Sequence, residues 1–99
     1  MAGDPFEALG DPNRRAIVEI LGSGGCSVQV LADALPISRP AVSRHLRLLK
    51  DAGLVIEEPV GTRHIYRLHD EGVDVVRRYL ERVWGEAAVA ASANEAMSR

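Results

Sequence analysis

The feature that most constrains this chain is a pair of helical patterns with only three residues between them. Apolar residues recur at helical spacing from Val28 to Leu35, and Pro36 ends that pattern. A second helical pattern runs from Arg39 to Ala52, with Ser38 as its N-cap and Gly53 as a left-handed stop. Two helices joined by so short a turn indicate a helix-turn-helix unit.

The second helix of this unit has two chemically different sides. At about 100° per residue, Val42, Leu46 and Leu49 fall on one side, which predicts that this side faces the core. His45 lies at the edge of the apolar arc, where packing, helix capping and a phosphate contact are all open alternatives. The opposite, exposed side is predicted to carry Arg39, Pro40, Ser43, Arg44 and Arg47.

The rest of the chain predicts a mainly α fold with a small β-hairpin (α+β). Residues 5–9, PFEAL, predict one or two helical turns, and a second helix begins at Asp11-Pro12 and ends at Gly22. Residues 54–56 predict a strand, residues 57–62 a turn, and residues 63–68, which alternate polar and apolar, a second strand. Whether Tyr66 packs inward or lies at the hairpin edge stays open.

A last helix is predicted to begin near Asp70 or Glu71, which gives the order α-α-α-α-β-β-α. Its apolar stripe can cover its own core on one side and meet a partner subunit on another. We expect one domain over residues 1–91 and a flexible tail over residues 92–99. The predicted dimer-interface residues on this helix are Val73, Val76, Leu80, Val83, Trp84 and Ala87.

Charge is distributed unevenly along the chain. The formal net charge is −2, which by itself argues against a nucleic-acid partner. The segment from Pro36 to Arg67, however, holds six basic and three acidic residues, whereas the rest of the chain holds six basic and eleven acidic residues. Because the distribution of charge matters more than the total, the basic middle of the chain is the candidate surface for a polyanion.

The helix-turn-helix unit and the following hairpin together predict DNA binding. The major groove of B-DNA admits one α-helix, and an arginine near its N-terminus can bond guanine bidentately. Ser38 or Ser43 can contact bases or phosphates in the same groove. A hairpin after a helix-turn-helix is the wing of a winged helix, and Arg63, His64 and Arg67 are placed to contact phosphate or the minor groove.

Composition limits the other possibilities. The chain has 99 residues, which suits one domain, and 4% aromatic residues, so aliphatic side chains must build the core. Cys26 is the single cysteine, which excludes an intramolecular disulfide. There is no secretory-signal pattern and no apolar stretch approaching ~18 residues, so we expect a soluble, cytoplasmic protein without membrane contact. No nucleophile elbow or phosphate loop is present, so we expect no enzyme.

Three segments, GDPNRRAIVEIL, LADALPISRPAVSRHLRLLKDAGLV and GTRHIYRL, resemble the ArsR family of bacterial winged helix-turn-helix repressors. The resemblance implies a homodimer that represses transcription, usually of its own operon, and leaves DNA when an effector binds. It also implies that Phe6 and Leu9 join the dimer interface. The family's recognition-helix and wing positions carry over to Ser38, Arg39, Pro40, Ser43, Arg44 and Arg47, and to Gly61, Thr62, Arg63 and His64.

The family's metal sites have no counterpart in this sequence. Many relatives use paired cysteines on the helix before the recognition helix, and others use His and carboxylate ligands on the last helix. In this sequence Cys26 stands alone and no histidine follows Glu71. His64, His69 and Asp70 lie at the wing and the strand end instead. We therefore predict no metal and no cofactor, and the effector is unknown.

Three alternatives remain open at this point. The protein can be an effector-responsive or a redox-responsive sensor of the same fold, because a thiol at a helix start such as Cys26 can have a lowered pKa. It can also be a winged helix used for protein-protein contact. Dimerisation favours DNA, because two recognition helices ~34 Å apart would meet successive major-groove faces of a palindrome.

Overall fold

A computed structural model describes residues 3–97, with side chains described for residues 3–85. The element order α-α-α-α-β-β-α is confirmed, and the hairpin is an antiparallel two-stranded sheet. The elements are α1 (Pro5–Ala8), α2 (Pro12–Leu21), α3 (Val28–Ala34), α4 (Arg39–Asp51), β1 (Val55–Val60), β2 (Arg63–Leu68) and α5 (Asp70–Met97).

The predicted helix caps form as local sequence dictates. The side chain of Ser38 accepts a hydrogen bond from the amide of Ala41 at 3.2 Å, and Asp11 and Ser27 cap α2 and α3 in the same way. Each cap satisfies an amide that has no partner inside its own helix. The start of α4 is therefore set by Ser38.

The end of α4 is a left-handed glycine stop, as predicted. Gly53 has φ 79, and its amide donates to the carbonyl of Lys50 at 3.0 Å. The amide of Leu54 donates to the carbonyl of Leu49 at 3.0 Å, which completes a Schellman motif. This turn directs the chain from α4 straight into β1.

The hairpin is longer and its turn tighter than predicted. The expected strand of residues 54–56 and turn of residues 57–62 are wrong, because β1 extends from Val55 to Val60 and only Gly61 and Thr62 connect the strands. Gly61 has φ 64, as the first central position of a type II′ turn requires. Pro59 is tolerated because each strand of a two-stranded sheet is an edge strand.

The core lies between α2, α3, α4 and the base of the hairpin. It contains the three α4 residues that the sequence predicted to face inward, and all are almost completely buried. Partly buried side chains such as Tyr66 and Cys26 pack against its margin. The buried apolar residues are Ala8, Ile17, Leu21, Leu31, Val42, Leu46, Leu49, Ala52, Leu54 and Val55.

The loop before α3 holds the hairpin against the domain. The amide and carbonyl of Cys26 bond the carbonyl and amide of Tyr66 at 2.9 and 2.8 Å. Gly25 permits this approach, because a Cβ atom there would lie 2.9 Å from the Cγ2 atom of Ile65. The sequence left the orientation of Tyr66 open. In the structure, Tyr66 stands between Glu57 on one side and Cys26 on the other, and its ring packs against the core.

The last helix starts against the end of α4 and packs on α1 through the contact of Tyr79 with Phe6. The amide of His69 donates to the carbonyl of Leu54 at 2.9 Å, just before α5 begins. Gly85, with φ 67 and ψ −178, breaks the helical geometry within α5. The radius of gyration is 15.9 Å, compared with about 13 Å for a compact chain of 100 residues. The predicted boundary at residue 91 stays a prediction.

In the described part of the chain, no helix combines the length and apolarity needed to cross a membrane.

We predict that Leu46→Ala destabilises the domain much more than Leu48→Ala, its neighbour on the same helix. Leu46 is 1% exposed in the core, whereas Leu48 is 41% exposed. Truncation of a fully buried leucine costs about 2–5 kcal/mol. Denaturant unfolding of both variants checks this, and an equal loss of stability would contradict the described orientation of α4.

Candidate nucleic-acid interface

The side of α4 that was predicted to face DNA is exposed, as the sequence predicted. The helix buries its apolar side in the core, so the opposite side is left in solvent. Its N-terminal turn carries Ser38 as the cap and Pro40 near the start, where the missing N–H of proline has no consequence. The exposed residues on this side are Ser38, Arg39, Pro40, Ser43, Arg44 and Arg47.

Three arginines of the interface keep their charge available. Within the part of the chain whose side chains are described, Arg44 and Arg47 on α4 and Arg63 on the wing form no ion pair with a carboxylate. Other arginines are neutralised locally, such as Arg77, which binds Asp74 and Glu81. Unpaired positive charge is therefore present on α4 and the wing, whereas Arg14 and Arg15 of α2, which also lack a carboxylate partner among the described side chains, bond backbone carbonyls instead.

Arg39, the first residue of α4, is held by the preceding helix. Its Nη1 atom donates to Gln29 Oε1 at 3.0 Å, and Gln29 Nε2 donates to Asp33 Oδ1 at 2.8 Å. This chain of hydrogen bonds orients the guanidinium beside the N-terminal turn of α4. Gln29 was not predicted as a site residue, and no sequence pattern signals it, because the contact joins two helices.

The wing presents its tip and one strand edge to solvent. Gly61, Thr62, Arg63 and His64 are exposed, as expected of the wing residues. Arg67 is exposed too, but its Nε atom donates to Glu58 Oε1 at 2.7 Å across the hairpin, and this bond raises the pKa of Arg67. Of the basic residues that were predicted to contact DNA from the wing, Arg67 thus already has a carboxylate partner in Glu58.

A groove separates the wing from the helix-turn-helix unit. It has a volume of about 600 Å³ and opens to solvent between α3, the start of α4 and the hairpin. Its walls carry hydrogen-bond donors and the positive charges of Arg39 and Arg63, which suit a phosphate backbone, and they also carry the carboxylate of Glu57. The polar lining includes Ser27, Gln29, Arg39, Thr62, Arg63 and His64.

His45 does not belong to this surface, which corrects its prediction as a DNA-contacting residue. It is only 8% exposed and faces α2. Its Nδ1 atom lies 3.4 Å from Arg14 Nη1 and 4.0 Å from Asp11 Oδ2, and Arg14 Nε donates to the carbonyl of Ala8 at 2.7 Å. Because α2 covers the edge of the apolar arc, packing is the role the structure supports.

The residues weighed as metal ligands have other partners. His69 Nδ1 lies 3.1 Å from the carbonyl oxygen of Gly53, and His64 pairs with Glu57. Among the described side chains, no group of three or more His, Cys, Asp or Glu could hold a metal ion. Burial raises the pKa of the Cys26 thiol, which reduces its thiolate fraction and weakens the redox alternative.

A second surface lies on α5 and is apolar. Val73, Leu80, Val83 and Trp84 are exposed, Trp84 by 60%. The ring of Phe6 also lies outward, 4.7 Å from the ring of Tyr79. This arrangement leaves a large part of the α5 stripe free to meet another molecule.

Two predicted interface residues differ from this pattern. Leu9 and Val76 are partly buried and pack against the domain's own core, because α1 and the start of α5 close that side of the domain. The side chain of Ala87 lies outside the described residues.

Known proteins are similar to this chain in sequence and in fold. The sequence profile of the helix-turn-helix domain family matches residues 9–58. The HTH-type transcriptional regulator Rv2034 of Mycobacterium tuberculosis is 50% identical over 82 residues, which make up 83% of this chain and 77% of that protein. The HTH-type transcriptional repressor SmtB of the same species is 45% identical over 69 residues, or 70% of this chain and 51% of SmtB. The chain thus spans about half the length of SmtB.

A solved structure is similar over most of the chain. The homodimeric winged helix-turn-helix DNA-binding domain of Mb0332 from Mycobacterium bovis, a possible ArsR-family transcriptional regulator, has a TM-score of 0.65 and 32% identity. The match covers 91% of this chain and 75% of that one. This chain belongs to the ArsR family. As a member of the ArsR family, it is a winged helix-turn-helix DNA-binding regulator of transcription rather than an enzyme.

For this ArsR-family regulator we predict that substitutions at two adjacent residues change different properties, namely stability at His45 and the salt dependence of DNA binding at Arg44. His45→Ala removes a buried side chain and should lower the free energy of unfolding by about 1–3 kcal/mol, with little change in the salt dependence of DNA binding. Arg44→Ala should leave the unfolding free energy nearly unchanged but reduce the salt dependence. Thermal unfolding and salt titrations of duplex binding measure both. A large change in salt dependence for His45→Ala would restore His45 to the interface.

Proposed function

We propose that this protein is a homodimeric repressor that binds a palindromic operator through α4. The observation that carries the proposal is the exposed arginine side of α4, where Arg44 and Arg47 have no carboxylate partner among the described side chains. The side that faces away from the core is the one that can enter a major groove without unfolding the domain. Arg63 on the wing supplies a second positive contact beside it.

The dimensions of α4 suit the major groove. An α-helix with its side chains is about 10–12 Å in diameter, and the major groove is about 12 Å wide. Arg39 and Arg44 lie in the capped N-terminal half of the 13-residue helix, and N-terminal residues of a recognition helix reach base edges. The groove beside the wing then takes the sugar-phosphate backbone, which positions the helix without reading sequence.

The apolar face of α5 supports the homodimer. Leu80 and Trp84 are 46% and 60% exposed on the same side of the helix, and contiguous apolar patches of this kind mark interaction surfaces. The related Mb0332 domain is homodimeric. A two-fold axis through this face would present two copies of α4 to one side of a duplex, which is the arrangement that a palindrome requires.

Repression rather than activation is favoured by the relatives, since SmtB is a repressor. A dimer seated on promoter DNA blocks access to that DNA without further machinery. Such a protein acts in the compartment that holds the genome, so we place it in the cytoplasm. A winged helix used only for protein contact would bind with weaker salt dependence, because phosphate contacts release counterions.

We predict that Arg44→Ala with Arg47→Ala weakens binding to an operator duplex about tenfold or more. The operator is first selected from genomic fragments with the wild-type protein. The matched control is Arg78→Ala with Arg82→Ala, which removes the same charge from α5 on the side opposite Leu80. Titrations over a salt series measure affinity and salt slope, and equal weakening by both pairs would contradict recognition by α4.

We predict that Leu80→Asp with Trp84→Asp produces a monomer, because two carboxylates cannot be buried unpaired in an apolar interface. Operator binding should fall with it, since one recognition helix reads only half of the site. Sedimentation at micromolar concentration measures the mass. The control for the mass measurement alone is Val30→Asp, an exposed apolar position on α3 that lines the proposed DNA groove, which should stay dimeric. An intact dimer in the double variant would refute the α5 interface.

A further inference from the structure

A carboxylate between the recognition helix and the wing has no part in the function proposed above. Glu57 lies on β1, and its two oxygen atoms hold groups from two different elements. Lys50 Nζ, in the last turn of α4, donates to Glu57 Oε1 at 3.0 Å. His64 Nδ1, next to the hairpin turn, lies 2.8 Å from Glu57 Oε2. Glu57 therefore links α4 to the outer part of the wing.

A third side chain lies beside the carboxylate. Tyr66 stands directly opposite Glu57 in the hairpin register, and its ring packs against the core. Glu57 is thus placed at a strand position whose cross-strand neighbour is anchored in the domain. The hydrogen bond from Lys50 lowers the pKa of Glu57, so the carboxylate is ionised at neutral pH and the contacts are charge-assisted.

The hairpin needs such a link to hold one orientation. It has only two strands, and an isolated two-stranded hairpin is marginally stable. Its inner half is anchored by Val55, which is buried, and by the backbone bridge between Tyr66 and Cys26. The outer half, from Pro59 to His64, contains no core residue. Among the side-chain ion pairs and hydrogen bonds of the described residues, the contact between Glu57 and His64 is the one that reaches this half from the base.

We propose that Glu57 is a positioning residue that fixes the wing relative to the recognition helix, so that both meet DNA together. The inference rests on the proposed DNA-binding function. By its charge alone, Glu57 would weaken DNA binding, because an anion beside a phosphate-binding groove repels the DNA backbone. The proposal assigns it a positioning role instead. Removal of a merely repulsive carboxylate would tighten DNA binding, whereas removal of a positioning carboxylate weakens it.

Glu58 provides a matched control on the same strand. It also pairs with a basic residue, but its partner is Arg67 of the same hairpin, so it makes no link to α4. Glu57→Ala and Glu58→Ala change the net charge by the same amount. The two variants therefore separate the effect of charge from the effect of wing position.

The first measurement is binding to the selected operator duplex and to a random duplex of equal length. Glu57→Ala should bind the operator about fivefold more weakly than the wild type, as expected for the loss of a small ion-pair network. Glu58→Ala should bind as tightly as the wild type or more tightly. Neither variant should bind the random duplex more weakly, because both gain positive charge.

The second measurement is made without DNA. Backbone order parameters at Gly61 and Thr62 report the mobility of the wing tip, and Glu57→Ala should lower them while Glu58→Ala leaves them unchanged. Lys50→Gln breaks the link from the helix side and should lower them as well, although Glu57 is still present. Thermal unfolding of all three variants checks that the domain stays folded.

The proposal requires both results. Tighter operator binding by Glu57→Ala, or order parameters at the wing tip equal to those of the wild type, would overturn it. Failure of the DNA-binding proposal is distinguished separately, because Arg44→Ala with Arg47→Ala would then leave operator binding unchanged while the wing-tip measurement still reports on Glu57.

Discussion

The burial of one side of α4 is the constraint on which the rest of the structure depends. Val42, Leu46 and Leu49 are almost completely buried, and full burial of each such side chain is worth about 1.5–3 kcal/mol. A helix has one rotational setting that buries all three, and this setting leaves Arg44 and Arg47 in solvent. The same hydrophobic contacts that stabilise the domain therefore expose the surface that we propose binds DNA.

A short set of polar and aromatic contacts links this helix to the apolar face of α5, the proposed dimer surface. His45 of α4 lies against Arg14 of α2, and Arg14 holds the last residue of α1, Ala8, through its carbonyl. Phe6 of α1 in turn packs on Tyr79 of α5. The position of the recognition helix and that of the apolar face of α5 are thus fixed relative to each other within one subunit, as two half-sites at a set spacing require.

Local pairing explains how an acidic protein presents a basic surface. Carboxylates outnumber basic residues, but several of them neutralise arginines near themselves, as Asp74 and Glu81 do with Arg77 and Glu58 does with Arg67. Among the arginines left without such partners in the described part of the chain, Arg44, Arg47 and Arg63 lie on α4 and the wing. The net charge of the protein affects its solubility and its long-range repulsion. The positions of the unpaired arginines determine where a phosphate backbone is attracted.

Sequence alone determined the features that depend on near neighbours along the chain. The cap at Ser38, the glycine stop at Gly53 and the two sides of α4 follow from backbone chemistry and helical periodicity, and the structure has all three. Tertiary structure decided what depends on residues far apart in sequence. Strand pairing extended β1 through Pro59 although Pro is a poor strand former, and the approach of α2 buried His45. Contacts between elements also determined that Glu57 meets Lys50, because no spacing within one helix or strand can bring those two side chains together.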